Sequence, residues 1–172
     1  PHLAGDDWLI EKFQKAREIV SPNTPASELY LALLAYRLNR DETEELIRRL
    51  GLRKLQTRTL RDDSLLKGRL NKLSKPGIRP SEIYELLHGL HHTALTAASI
   101  ADSQETRETI ILYLDSLRYV RPALTGKDLE KMGIQSGPHM KEILRKLLRA
   151  RLDGQVTDKQ GEIEMIEKLT RQ

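Results

Sequence analysis

Apolar residues recur at three- and four-residue spacing along almost the whole chain, and this periodicity restricts the possible folds more than any other feature. Leu29, Leu33 and Leu34 follow it near the start, and a second set that ends at Leu152 follows it near the end. The alternating apolar and polar residues that a half-buried strand requires are nearly missing. The sequence therefore predicts an all-α fold of sequential helical hairpins.

Several helices have further signatures in the sequence. The one that carries Leu29 and Leu33 has a wide apolar face, so we expect it to be central. A long helical stretch is expected to pass through Leu66 and Leu73 and to stop before Pro76. Small residues dominate 94–101, which predicts close approach between helices there.

Capping residues and glycines predict where the later helices begin and end. Asp102, together with Glu105, is expected to cap one helix, and Thr125 with Asp128 another. A small C-terminal helix-turn-helix unit is expected to begin near Arg121-Pro122. The chain is accordingly divided into residues 1–120 and 121–172.

The composition excludes several classes of protein. With 0 Cys the chain has neither disulfides nor a thiolate metal site, and a cytoplasmic setting is expected. No stretch is apolar enough to predict a membrane helix or a signal peptide, so no membrane partner is expected. Aromatic residues make up only 4%, which argues against a sheet that stacks RNA bases.

Positive charge is concentrated in two segments of the sequence. Residues 48–79, the first basic segment, hold 11 Lys or Arg and 2 Asp, a net charge of +9. Residues 118–151, the second basic segment, hold 9 basic and 3 acidic residues, a net charge of +6. The residues between them carry a net charge of −5. Basic patches of this kind attract nucleic acid through its phosphates, although solvated helix faces can also carry their charge in blocks.

Within each basic segment some cations share one helix face. Lys141, Arg145 and Arg149 are spaced four apart, and Lys54 lies on one face with Arg58 and Arg61 if the helix there is unbroken. Either row could follow a nucleic-acid backbone or be an ordinary solvent face. The predicted RNA-binding residues are these six together with five others: Arg118, Arg121, Lys127, Gly133 and Gly137.

A glycine turn near residues 133–137 has two interpretations. The free N–H groups at the start of the helix after Gly137-Pro138 could bind a phosphate, with Lys127 or Lys141 nearby. Alternatively, Gly133 simply ends one helix and Pro138 begins the next.

No catalytic or metal site is predicted. Asp6-Asp7 and Asp62-Asp63 are adjacent pairs rather than the Asp-x-Asp spacing that lets two carboxylates share Mg²⁺. An HExxH pattern, a glycine-rich phosphate loop and a GxSxG elbow are missing from the sequence. His88, His91 and His92 are expected to be helix-terminal or packing residues rather than metal ligands.

Two parts of the sequence resemble a known family. The stretch 110–154 carries the string Leu124-Thr125-Gly126-Lys127-Asp128-Leu129, then Gly133, Gly137-Pro138 and Leu152-Asp153-Gly154. Upstream, the family's pattern is matched by Ala32-Leu33-Leu34-Ala35, Arg49-Leu50-Gly51-Leu52 and Ile83-Tyr84-Glu85-Leu86-Leu87. Together they resemble the C-terminal helical body and tail of bacterial tRNA nucleotidyltransferase and poly(A) polymerase family proteins.

The resemblance implies a transferase that adds CCA, or only its terminal A, to tRNA, with a helical body and tail that grip the tRNA. Catalysis in the family uses Mg²⁺ with ATP or CTP in a head domain, whose Gly-Ser and Asp-x-Asp motifs do not occur in this sequence. We therefore expect this chain to bind tRNA or another structured RNA, to need no cofactor itself and to be inactive alone.

Two other hypotheses remain open at this stage. The chain could be a helical scaffold that docks proteins or forms a homodimer, with its basic segments serving only solubility. It could also be a double-stranded DNA module that uses the glycine turn as a helix-hairpin-helix.

Overall fold

The computed structural model describes residues 6–170, with only the backbone at residue 170. In this range the protein consists of α-helices joined by turns and loops. Within that range it has no strand, which confirms the predicted all-α fold. A short 3-10 turn, Leu117–Tyr119, lies between α8 and α9. The eleven helices are α1 (Asp7–Val20), α2 (Ser27–Ala35), α3 (Arg40–Leu50), α4 (Lys54–Lys67), α5 (Leu70–Leu73), α6 (Pro80–Leu87), α7 (His92–Ala101), α8 (Gln104–Asp115), α9 (Gly126–Lys131), α10 (Pro138–Leu152) and α11 (Lys159–Thr170).

The chain folds into two compact units. Unit 1 runs as far as Ile78 and resumes over Leu86–Tyr113, whereas unit 2 contains Arg79–Glu85 and the chain from Leu114 onward. The division of the sequence at residues 120 and 121 stays a prediction about function. No helix in the part of the chain that the structure covers is both long and apolar enough to cross a membrane.

The core of unit 1 is centred on α2, as its wide apolar face predicts. This helix packs against α1, α4 and α7, and Leu29 and Leu33 are buried. α7 lies close to both α2 and α4 because three of its six buried residues are alanines: Ala94, Ala97 and Ala98 carry only a methyl group. The rest of this core comprises Ala16, Ala32, Ala35, Leu38, Leu46, Ile47, Leu60 and Ile100.

The core of unit 2 is formed by α9, α10 and α11. α10 contributes one apolar stripe with Ile143 and Leu147, and α11 faces it with Ile166. Leu124, Leu129, Ile134 and Met140 complete this core. The stripe leaves the opposite side of α10 free for polar residues, which positions the second row of cations.

Two details of the helices differ from the sequence-based expectation. Gly68 and Arg69 interrupt the predicted long helix, so α4 and α5 are separate. The side chain of Arg69 turns back to donate to the Leu86 carbonyl in the same unit. The cap of α8 is Ser103, whose hydroxyl accepts from the Thr106 N–H, whereas Asp102 accepts from the Tyr36 hydroxyl at 3.0 Å.

Candidate nucleic-acid interface

The α9 helix begins with a capping box, as its sequence predicts. The Asp128 N–H donates to the Thr125 hydroxyl, and the carboxylate of Asp128 accepts from the Thr125 N–H at 2.9 Å and from its hydroxyl at 2.7 Å. These bonds favour the ionised carboxylate and lower the pKa of Asp128. Lys127, the second residue of the helix, is thereby held at an exposed helix start.

The end of α9 is closed by a glycine with a left-handed backbone. Gly133 has φ 83°, and its N–H and that of Ile134 donate to the carbonyls of Glu130 and Leu129, each at 3.0 Å. Ile134 is then buried beside Leu129, which completes a Schellman motif. Gly133 therefore ends a helix, as one of the two interpretations of the turn requires.

The start of α10 fits both interpretations of the turn. Gly137 occupies the N-cap position with φ 154° and ψ −164°, a conformation restricted to glycine, and Pro138 is the first helical residue. No side chain caps this end. Anion binding at this helix start stays a prediction.

The predicted row of cations on α10 is present, but its members differ in their partners. Lys141 and Arg145 are exposed, and within residues 6–170 neither has a carboxylate at ion-pair distance. Arg149, one turn further, has its Nε 3.3 Å from Glu85 Oε1. Two of the three cations are therefore free to bind an external anion.

Arg118 and Arg121 lie at the 3-10 turn that precedes α9. The Arg121 guanidinium donates to the carbonyls of Arg118 at 2.9 Å and Val120 at 2.7 Å, which leaves its charge unneutralised. Arg118 donates to the Tyr119 hydroxyl. Neither arginine forms an ion pair with any carboxylate in the described part of the chain.

The first basic segment also has its predicted row, because α4 is unbroken from Lys54 to Arg61. Arg61, however, makes two bonds of 2.8 Å to the carboxylate of Glu44 on α3. This pairing lowers the pKa of Glu44 and raises that of Arg61.

Arg58 of the same row is also occupied by internal partners. Its Nε lies 3.6 Å from Asp62, and it donates to the Gly89 carbonyl at 3.1 Å. Lys54 alone of this row is exposed without an ion pair among the residues described.

Two carboxylates for which the sequence predicted no structural role accept hydrogen bonds from the backbone of unit 2. Glu162 is fully buried on α11; it accepts from the N–H groups of Ala123 at 2.9 Å and Leu124 at 2.8 Å, and Arg151 lies 3.4 Å away. Asp153 accepts from the N–H of Ser81 at 2.9 Å and from its hydroxyl at 2.8 Å. The one sequence signal that could have predicted the burial of Glu162 is its position within the apolar pattern of α11.

The three neighbouring histidines lie around the start of α7. His91 is the N-cap residue of α7, and the imidazole of His91 accepts from the Thr93 N–H at 3.3 Å. The backbone N–H of His91 donates to the Asp62 carboxylate at 2.7 Å. This confirms the expected helix-terminal position for His91. Among residues 6–170, no three His, Asp or Glu side chains are grouped so as to hold a metal ion.

Comparison with known proteins gives two similarities. Over 93 residues, or 54% of this chain, the sequence is 37% identical to an A-adding tRNA nucleotidyltransferase of Geobacter sulfurreducens. A solved structure of a CCA-adding enzyme of Thermotoga maritima in complex with tRNA matches 98% of the chain with a TM-score of 0.71 and 19% identity, which shows a shared fold. No protein-family model matches the chain.

Both matches involve only part of the larger proteins. The matched region is 11% of the length of the A-adding enzyme and 43% of the CCA-adding enzyme chain. The resemblance noted in the sequence is confirmed: this chain is homologous to part of an A-adding tRNA nucleotidyltransferase and shares the fold of part of a CCA-adding enzyme.

Proposed function

We propose that this chain binds tRNA and positions it for nucleotide addition by a catalytic domain whose motifs this sequence does not contain. The observation that carries the proposal is that three of the predicted RNA-binding cations are exposed without ion pairs on the α9–α10 hairpin: Lys127, Lys141 and Arg145. Cations that are not neutralised internally can release counterions from RNA phosphates, which is the main source of affinity without sequence recognition.

The comparisons support RNA as the polyanion in this proposal. One similar protein is named for its action on tRNA, and the other was solved with tRNA bound. The parent activity we propose is addition of CCA, or of A alone, to the tRNA 3′ end. Mg²⁺ and ATP or CTP would act in the catalytic domain.

The direct test is to titrate the chain with tRNA at increasing salt. Release of counterions from about three phosphate contacts predicts a loss of affinity of roughly 30-fold between about 50 and 200 mM salt. A DNA duplex of similar length is the control, and it should bind more weakly than tRNA because the proposal is for recognition of folded RNA.

Three results would contradict the proposal. Absence of tRNA binding at low salt would refute the proposal, and so would an affinity for tRNA that does not change with salt. Tighter binding of the DNA duplex would favour the helix-hairpin-helix alternative instead. Sedimentation of the free chain tests the scaffold hypothesis, which predicts a stable dimer that does not bind tRNA.

A further inference from the structure

One aromatic side chain stands apart from the others in its exposure. The chain has seven aromatic residues, and six of them are buried or half-buried: Trp8, Phe13, Tyr30, Tyr36, Tyr84 and Tyr113. Tyr119 is 62% exposed. Large aromatic side chains lose favourable burial when they face water, so an isolated exposed ring in a basic segment calls for an explanation.

The backbone around Tyr119 is held in place by its own hydrogen bonds. Tyr119 N–H donates to the Ser116 carbonyl and Val120 N–H to that of Leu117, both at 3.1 Å. Leu117 is buried, and the Arg121 guanidinium donates to two carbonyls of the turn. The ring therefore projects from a fixed support, which reduces the entropy lost when it binds a ligand.

One face of the ring already has a partner. The Arg118 guanidinium carbon lies 4.6 Å from the ring centroid, and the same guanidinium donates to the Tyr119 hydroxyl. With that face covered, the high exposure of Tyr119 comes from the opposite face and the ring edges. The charge of Arg118 remains without a carboxylate partner in the described residues, so the site combines an open aromatic face with a free positive charge.

We infer that the open face of Tyr119 stacks on an unpaired RNA base while Arg118 holds the ring from the other side; this inference rests on the proposed function. An unpaired base offers both a flat face for the ring and an adjacent phosphate for the guanidinium. A base within a continuous duplex has no free face, and an apolar protein side chain would gain nothing from the arginine. A single stacking position is compatible with the low aromatic content.

Two substitutions separate stacking from the other roles of this side chain. Tyr119→Leu removes the ring and should weaken tRNA binding about tenfold, since stacking of one base is worth about that much in affinity. Tyr119→Phe keeps the ring and loses only the hydroxyl, so its affinity should stay within about twofold of the original. The side chain at this position is exposed, and thermal melting followed by circular dichroism checks that each variant folds.

Salt dependence and a second RNA provide independent readouts. Tyr119→Leu removes no charge, so the slope of log affinity against log salt should equal that of the original protein. A blunt RNA duplex without unpaired bases should bind both proteins equally. Tyr119→Trp should lose fluorescence when tRNA binds, beyond the change that Trp8 shows in the original protein.

The outcomes distinguish this inference from the proposed function. If the original protein binds tRNA and Tyr119→Leu binds it equally well, stacking is overturned and the proposed function stands. If Tyr119→Phe loses as much affinity as Tyr119→Leu, the hydroxyl and not the ring makes the contact, which also overturns stacking. If the original protein does not bind tRNA, both ideas fail.

Discussion

The two basic segments both carry excess positive charge, but their cations have different partners. In the first basic segment, Arg58 and Arg61 pair with carboxylates, and Arg69 donates to a backbone carbonyl. In the second, Lys141 and Arg145 have no ion pair among the residues described. The predicted row in the segment with the larger net charge therefore has fewer free cations: Arg58 and Arg61 are paired there, whereas only Arg149 is paired in the row on α10. Net charge along a sequence does not measure the charge available to a ligand.

Lys67 shows most clearly how the first basic segment uses its cations internally. Its ammonium donates to the carbonyls of Tyr36 at 2.7 Å and Leu38 at 2.8 Å, and it lies 3.4 Å from the Asp63 carboxylate. Asp63 is only 2% exposed, and its Oδ1 has no hydrogen-bond partner. A sequence-based count records Lys67 as one more basic residue, whereas the structure places it inside unit 1.

The largest expected effect is therefore on stability. Lys67→Met should lower the free energy of unfolding by about 3 kcal/mol at pH 8, because it leaves a buried carboxylate and two carbonyls without their donor. Urea denaturation monitored by circular dichroism measures this change. Lys146→Met is the matched control: Lys146 pairs with Glu142 on the surface of α10, and its loss should cost less than about 0.5 kcal/mol. Equal losses in the two variants would show that Lys67 is an ordinary surface cation.

Local sequence signals were sufficient to predict the α9–α10 hairpin. The Thr125–Asp128 cap, the glycine stop at Gly133 and the proline start at Pro138 each depend on residues within a few positions of one another. The apolar spacing of α10 then fixes which side is buried and leaves Lys141 on the other. Short-range chemistry decides these features, so a single sequence contains them.

The remaining features depend on partners that are distant in the sequence. Asp102 and Ser103 can both cap α8, and the choice of Ser103 accompanies a bond from Tyr36, which lies 66 residues away, to Asp102. Arg61 and Glu44 are 17 residues apart on different helices. Periodicity and charge counts contain no information about such pairs, so the sequence could place the cations on faces but could not tell which were neutralised.

Two matched double substitutions test whether the cations of the two basic segments contribute differently to tRNA binding. Lys141→Gln with Arg145→Gln should weaken tRNA binding roughly 50-fold at about 0.1 M salt and reduce the salt slope by about 2, since two phosphate contacts are lost. Arg58→Gln with Arg61→Gln removes the same charge but should reduce the slope by less than about 1. Filter binding at several salt concentrations measures both. The comparison would be wrong if the second pair cost as much affinity as the first.

The smallest predicted effect is a pH dependence of stability that arises from Asp63 in the first basic segment. Burial raises the pKa of Asp63 to about 7, although Lys67 acts in the opposite direction. Because the folded protein holds this proton more tightly than the unfolded chain, its stabilising contribution is present at low pH and is lost as the pH rises through about 7. Each unit of difference in pKa corresponds to about 1.4 kcal/mol, so unfolding should require at least about 1 kcal/mol more at pH 5 than at pH 8.

Asp63→Asn separates the contribution of this carboxyl from that of every other titratable group. The substitution keeps the shape of the side chain but cannot ionise, so the difference in stability between pH 5 and pH 8 should shrink by about 1 kcal/mol or more. Urea denaturation at both values of pH gives this difference for each protein. An unchanged difference would mean that Asp63 ionises in the folded protein as readily as in the unfolded chain. The Asp63–Lys67 pair would then be solvated, and the first basic segment would lose the most buried example of a cation that is neutralised internally.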